Sequence, residues 1–303
     1  MAEPRRDYLV ALGLLSVATM WGLTSVFVKG VLAEFDPLAF TLARFVLMTA
    51  MGFALLRLRS RDTGIRRSDF WRFAASGLTG FTLFQLCYIL GLNETSAFSA
   101  SLLIGLIPIF TALALTLLRI ERVSAGQWAG IALSLVGVVV FVWEKTGGIT
   151  LAGSGRGDLL SLGAGAAFAL YGIVNKPLVA RYDSMQVTTY SLLFGVVPLA
   201  IVGAPAALAQ PWASLSATAW LVLGYAVVFP VYLAYLIWNW GIARKGVAYT
   251  SLFSYLSPVI TGVFAFLLLG EQFGPLKIGG ALVVLLGLAL ATRRPAPRPA
   301  VLL

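Results

Sequence analysis

The chain has no histidine and a single cysteine, Cys87, among its 303 residues. The first absence excludes imidazole metal ligands and imidazole proton relays. The second excludes an intrachain disulfide. Charge is scarce as well: 11% of residues are charged and 59% are hydrophobic, whereas a soluble domain carries about a quarter charged residues. No glycine-rich loop runs into Lys-Ser or Lys-Thr, so the usual phosphate cradle of nucleotide hydrolysis is missing. A membrane-embedded enzyme would need an acid–base pair or an activated nucleophile near one interface. With no histidine and hardly a carboxylate inside the apolar runs, none is offered. No enzyme, no metal centre and no cofactor is therefore expected.

The sequence is instead rich in long apolar runs. A transmembrane helix needs about 20 mostly apolar residues, and such runs occur near 8–28, 36–58, 70–91, 96–117 and 126–143. Five more lie near 157–177, 185–205, 217–239, 246–268 and 275–292. The first follows Arg5 and Arg6 as a signal peptide would. It is too long for such a segment and leads into WGLTSVFVKG, without a clear small-residue cleavage site, so it reads as a helix. The expected architecture is an all-α, multi-pass integral membrane protein of ten helices.

Lysine and arginine give the orientation. With the N-terminus inside, seventeen of the 22 basic residues fall in inside segments: Arg5, Arg6, Arg57, Arg59, Arg61, Arg66, Arg67, Arg72, Arg119, Arg122, Lys176, Arg181, Arg244, Lys245, Arg293, Arg294 and Arg298. Lys29, Lys145, Arg156 and Lys277 fall outside, and Arg44 lies within a span. Both termini are thus expected in the cytoplasm. The net charge of +10 is a topology signal and not a nucleic-acid patch, although the Arg-rich 57–72 loop could also touch anionic lipid.

The chain repeats itself. GLIPIFTALALTLLRIE at 105–121 returns as YLSPVITGVFAFLLLGE at 255–271. Without a gap, 91–137 and 241–287 share twelve of 47 positions, among them Pro108 and Pro258, Thr111 and Thr261, and Glu121 and Glu271. Each half then holds five helices. An odd number means that the second half crosses the membrane in the opposite sense, which is the inverted-repeat construction of secondary transporters. The expected layout is an N-terminal segment 1–7, a first repeat 8–145, a linker 146–156, an inverted second repeat 157–292 and a basic tail 293–303.

WGLTSVFVK at 21–29, the lone Arg44 and the PIFT…ER…QWAGIALSLVG pattern at 108–137 resemble the drug/metabolite transporter superfamily, in its ten-helix EamA-type branch. That resemblance implies the fold and alternating-access transport, and the branch includes exporters of amino acids and related metabolites. At the 150-residue offset Arg44 faces Phe194, and Arg122 faces Gln272, so the two halves would not contribute equally to a charged site.

The same offset selects matching helix faces. Ala18, Trp21 and Ser25 pair with Phe168, Tyr171 and Asn175; Phe81, Gln85 and Tyr88 pair with Val231, Tyr235 and Trp238; Ser101 pairs with Ser251. Pro108 and Pro258 lack an N–H and free the carbonyls of Ile104 and Ser254, either to line a solute path or as packing kinks. The expected cavity is lined by Trp21, Ser25, Gln85, Tyr88, Ser101, Pro108, Tyr171, Asn175, Tyr235, Trp238, Ser251, Ser254 and Pro258. Arg44 and Lys176 are candidate carboxylate contacts, with helix-end bonding and snorkelling to the cytoplasm as their alternatives. Trp71, Trp128, Trp143 and Trp212 fit an interfacial belt. Glu94 reads as solvated, and Glu121 and Glu271 as structural. Gly130, Gly137, Gly280 and Gly287 allow close helix contact, read as intramolecular in a monomer.

The expected function is a secondary exporter of amino acids or similar small metabolites in a bacterial inner membrane. The competing reading is proton-driven export of cationic drugs. In small relatives that chemistry depends on a carboxylate in the first span, and YLVALGLLSVATMWGLTSVFV has none.

Overall fold

A backbone in hydrocarbon has to satisfy its own hydrogen bonds, so apolar runs of this length fold as helices. The computed structural model describes residues 3–59, 64–118, 125–146 and 155–291, and every regular element among them is helical. Ten helices result: α1 Glu3–Val31, α2 Pro37–Arg59, α3 Arg67–Glu94, α4 Ala97–Leu117, α5 Ala125–Thr146, α6 Gly155–Val179, α7 Ser184–Ala209, α8 Ala217–Val247, α9 Tyr249–Leu269 and α10 Pro275–Ala291. Among the described residues, α1 to α4 and α6 to α9 form stretches long and apolar enough to cross a membrane, and α5 and α10 contain the shorter apolar stretches Trp128–Phe141 and Pro275–Gly287. Arg61, Arg119, Glu121, Arg122, the linker residues 147–154 and the basic tail lie outside the described residues.

Caps set the helix starts. Asp36 accepts from the N–H groups of Leu38 (2.8 Å) and Ala39 (3.1 Å) to open α2. Asp183 and Gln186 form a reciprocal capping box at the start of α7. Glu271 accepts from the N–H of Ala97 at 2.7 Å, so the carboxylate expected to be structural caps α4, on the other half, where the helix dipole favours an anion. At the α8–α9 junction Gly246 has φ 82°, a left-handed value that costs glycine nothing.

The caps also revise one pairing. α2 opens at Pro37 and α7 at Ser184, 147 residues apart. Counted from the caps, the counterpart of Arg44 is therefore Ser191 and not Phe194.

α3 and α8 both carry a π-bulge, at Leu78–Leu83 and Val228–Leu233. The causes differ. Pro230 has no N–H to give the ladder. In α3 the Thr79 hydroxyl donates to the Ala75 carbonyl at 2.8 Å and competes with the backbone. α4 breaks at Gly105 and Leu106, ahead of Pro108, and α9 runs through a 3₁₀ turn at Leu252–Tyr255 ahead of Pro258.

The helices form two compact units, and each takes helices from both halves. The larger comprises residues 1–111 and 151–271; the smaller comprises 112–150 and 272–303. Inside the smaller unit α5 and α10 meet along glycines. A Cβ on Gly137 would lie 2.6 Å from the Val284 nitrogen, and one on Gly287 would lie 2.4 Å from Ser134 Oγ. Ser134 donates to the Val284 carbonyl at 3.1 Å across that seam. The intramolecular reading of these glycines is the one the structure displays.

Candidate functional site: an arginine-bearing cleft

The site lies wholly inside the larger unit. α1 brings Trp21, Thr24 and Ser25; α2 brings Arg44; α3 brings Phe84, Gln85 and Tyr88; α4 brings Ser101, Ile104, Gly105 and Ile107. The second half adds Phe168 from α6, Pro230, Val231 and Tyr235 from α8, and Ser254 and Ser257 from α9. The centre of a water-sized sphere can move through about 60 Å³ there. That is room for about five waters, or one small organic solute. The wall is mostly apolar with a few convergent polar groups, the usual make-up of a small-molecule site.

Its floor is aromatic. The Trp21 ring stands 5.3 Å from Phe168 and 4.9 Å from Trp238, and Phe168 stands 5.5 Å from Tyr235. Trp21 is held by its indole N–H, which donates to the Pro230 carbonyl at 2.6 Å. The π-bulge thus turns a backbone carbonyl toward a side chain that needs an acceptor. Ser25 Oγ and Tyr88 OH are 3.5 Å apart on the wall.

Arg44 is the sole charged side chain among the lining residues. It is 1% exposed, lies against the rings of Phe40 and Phe45 at 5.2 and 5.4 Å, and donates through Nη2 to Gln85 Oε1. Gln85 is itself buried.

Below the floor, toward the helix ends that carry Arg72 and Arg181, six wholly buried polar side chains close on one another. Ser76 donates to Asn175 Oδ1 at 2.7 Å and lies 2.7 Å from Ser191 Oγ. Asn175 Nδ2 donates to Asn239 Oδ1 at 2.9 Å, and Asn239 Nδ2 donates to Tyr171 OH and Thr188 Oγ1, each at 3.0 Å. Further out, Asp69 accepts from Arg72 (2.7 Å), Arg181 (2.9 Å) and Tyr182 (2.9 Å).

Of the residues expected to share a cavity, Trp21, Ser25, Arg44, Gln85, Tyr88, Ser101, Tyr235 and Ser254 line the cleft. Tyr171 and Asn175 belong to the closed cluster instead. Trp238 sits behind Trp21. Pro258 packs against Gly105, where a Cβ would approach its Cγ to 2.9 Å. Pro108 and Ser251 are buried outside the lining, and Lys176 points away, exposed. Sequence reasoning missed Thr24, Phe84, Ile107, Pro230 and Ser257 on the wall, and Ser76, Thr188, Ser191 and Asn239 in the cluster. Asn239, an amide in the middle of an apolar span, was the one readable signal for the latter.

A profile of the EamA-like transporter family matches residues 9–143 and again 155–293. The chain belongs to the EamA-like transporter family. It is a multi-pass membrane transporter and not an enzyme. Among EamA-like relatives it is 29% identical to the uncharacterised transporter YyaM of Bacillus subtilis, over 92% of each chain. It is 30% identical to a probable terminal-alkyne amino-acid exporter of Streptantibioticus cattleyicolor, over 79% of this chain and 80% of that one. It is 29% identical to a probable amino-acid metabolite efflux pump of Salmonella typhimurium, over 94% of each. A crystal structure of a protein 21% identical superposes with a TM-score of 0.68 over 93% of this chain and 95% of that one, a likeness of fold.

Proposed function

We propose that this transporter exports neutral amino acids and related small metabolites across a bacterial inner membrane by alternating access, with the Arg44 cleft as its solute site. The observation that carries the reading is one buried guanidinium facing an otherwise neutral, aromatic-lined space of amino-acid size. A zwitterion sets its carboxylate toward Arg44 and its side chain against the rings. An organic cation would shed its hydration where no anion lines the wall, at a cost of several kcal/mol. The Streptantibioticus and Salmonella relatives, named as an amino-acid exporter and an amino-acid metabolite efflux pump, support the same solute class.

Proton-driven export of cationic drugs is the competing reading. It lacks a buried carboxylate in the cleft and in residues 8–28 of α1. Without one, tight coupling to protons through a single side chain is not expected. Proteoliposomes loaded with labelled leucine, phenylalanine, methionine or threonine should release them saturably, with less than about a two-fold response to a pH gradient. Robust proton-driven ethidium transport with no amino-acid flux would overturn the proposal.

A further inference from the structure

The Arg44–Gln85 pair carries more than a charge preference. In a guanidinium the Nε–H and one Nη2–H point along the same edge, and a carboxylate grips that edge with both oxygens. At Arg44, Nη2 donates to the neutral Gln85 Oε1, while Nε, buried, has no hydrogen-bond partner among the described residues. One half of a two-pronged donor is matched and the other is not. Gln85, like Arg44, lines the cleft, so the pair borders the space that a solute would fill.

We propose that Gln85 Oε1 stands in for one carboxylate oxygen of the solute. The arriving carboxylate displaces it and takes both Nε and Nη2 of Arg44. Gln85 then turns about its last torsion and presents its NH2 to the same carboxylate. This rests on the cleft being the solute site, as argued above, and it narrows the solute class: the carboxylate is required and the ammonium is dispensable. Two arguments support that asymmetry. A carboxylate adds the attraction of opposite charges, which the Arg44–Gln85 bond, charged on one side only, lacks, and it satisfies a buried donor that is costly to leave unmatched. An ammonium, by contrast, meets rings and neutral oxygens such as those of Ser25 and Ser254 but no anion, with the positive Arg44 nearby. Small carboxylates without a charged amine are therefore ligands as good as the amino acids themselves.

The test is the melting temperature of the purified full-length transporter titrated with three solutes of one shape: leucine, 4-methylpentanoate and leucinamide. Leucine and 4-methylpentanoate should stabilise it with comparable affinity, and leucinamide should bind at least ten-fold more weakly. Gln85→Glu should fold and melt no lower than the parent, because its carboxylate pairs internally with Arg44, yet bind both carboxylates at least ten-fold more weakly. Arg44→Gln should lose them too; if it folds poorly, Gln85→Glu decides the matter. The proposal falls if leucinamide binds as well as leucine, if neither carboxylate binds, or if Gln85→Glu binds 4-methylpentanoate like the parent. The two readings fail separately. Selective stabilisation by carboxylates without amino-acid flux in liposomes would remove the export reading and keep the carboxylate edge. Equal flux of leucine and leucinamide would do the reverse.

Discussion

The cleft and the cluster beneath it are made from corresponding faces of the two halves, and they have opposite fates. Trp21 and Ser25 of α1 border open space, while their counterparts Tyr171 and Asn175 of α6 are wholly buried in hydrogen bonds. Arg44 of α2 meets a single glutamine, while Ser191 at the matching turn of α7 pairs with Ser76. The difference teaches which polar groups can seal a helix bundle. Hydroxyls and carboxamides both donate and accept, so six of them can satisfy one another without water. A guanidinium only donates, so it closes on itself with nothing and keeps a need for an outside anion.

Breaking the cluster should have the largest effect on stability. Asn239→Leu leaves Asn175, Tyr171 and Thr188 each short of a partner. Orphaned buried groups cost about 1–3 kcal/mol each, moderated to roughly 1 kcal/mol each among membrane helices. The melting temperature should fall on the order of 5–10 °C. Arg44→Met, which removes a buried charge and keeps volume, should move it by about 2 °C or less while abolishing flux. If Arg44→Met is the more destabilising of the two, the comparison is wrong.

Gly80→Ala sharpens it at the boundary. A Cβ there would sit 2.2 Å from Tyr171 Cδ2, and that ring is tethered to Asn239. Overpacking of this kind costs about 1–3 kcal/mol. Gly163→Ala, whose Cβ would meet nothing nearer than Cys87 Sγ at 3.6 Å, is the matched control and should be neutral or slightly stabilising. Equal melting of the two variants would show that the cluster yields freely.

The smallest effect belongs to Asp69→Asn. Its partners Arg72 and Arg181 have side chains 47% and 49% exposed, so solvent screens the pairs and the melting temperature should fall less than in the destabilised variants above. That fall should shrink further in high salt. A loss as large as that of Asn239→Leu would move the main closure outward, to Asp69.

The ten helices were legible because hydrocarbon thickness fixes their length: the run read at 185–205 is α7, and that at 275–292 is α10. Half of the cleft was legible because inverted repeats place equivalent positions at equivalent depths. Trp21 with Ser25 and Gln85 with Tyr88 follow from that rule alone. What the repeat could not give was the conformation. Two symmetric faces read alike in sequence, and only packing shows that one is open and the other shut, which is why Tyr171 and Asn175 were expected beside Trp21. Nor could a constant offset give the 147-residue spacing of the α2 and α7 starts or the role of Asn239, whose counterpart is Ile89.

That each half supplies helices to both units has a consequence for the order in which the protein can assemble. Synthesis at about 5–20 residues per second leaves the first five helices in the bilayer for roughly 7–30 s before α10 emerges. During that interval Arg44 already has Gln85, its neighbour in the same half. The Gly137 face of α5 has nothing to close upon until Gly280 and Val284 arrive. The nascent chain thus exposes its small-residue seam to lipid and to other nascent chains, while Arg44 already has its glutamine.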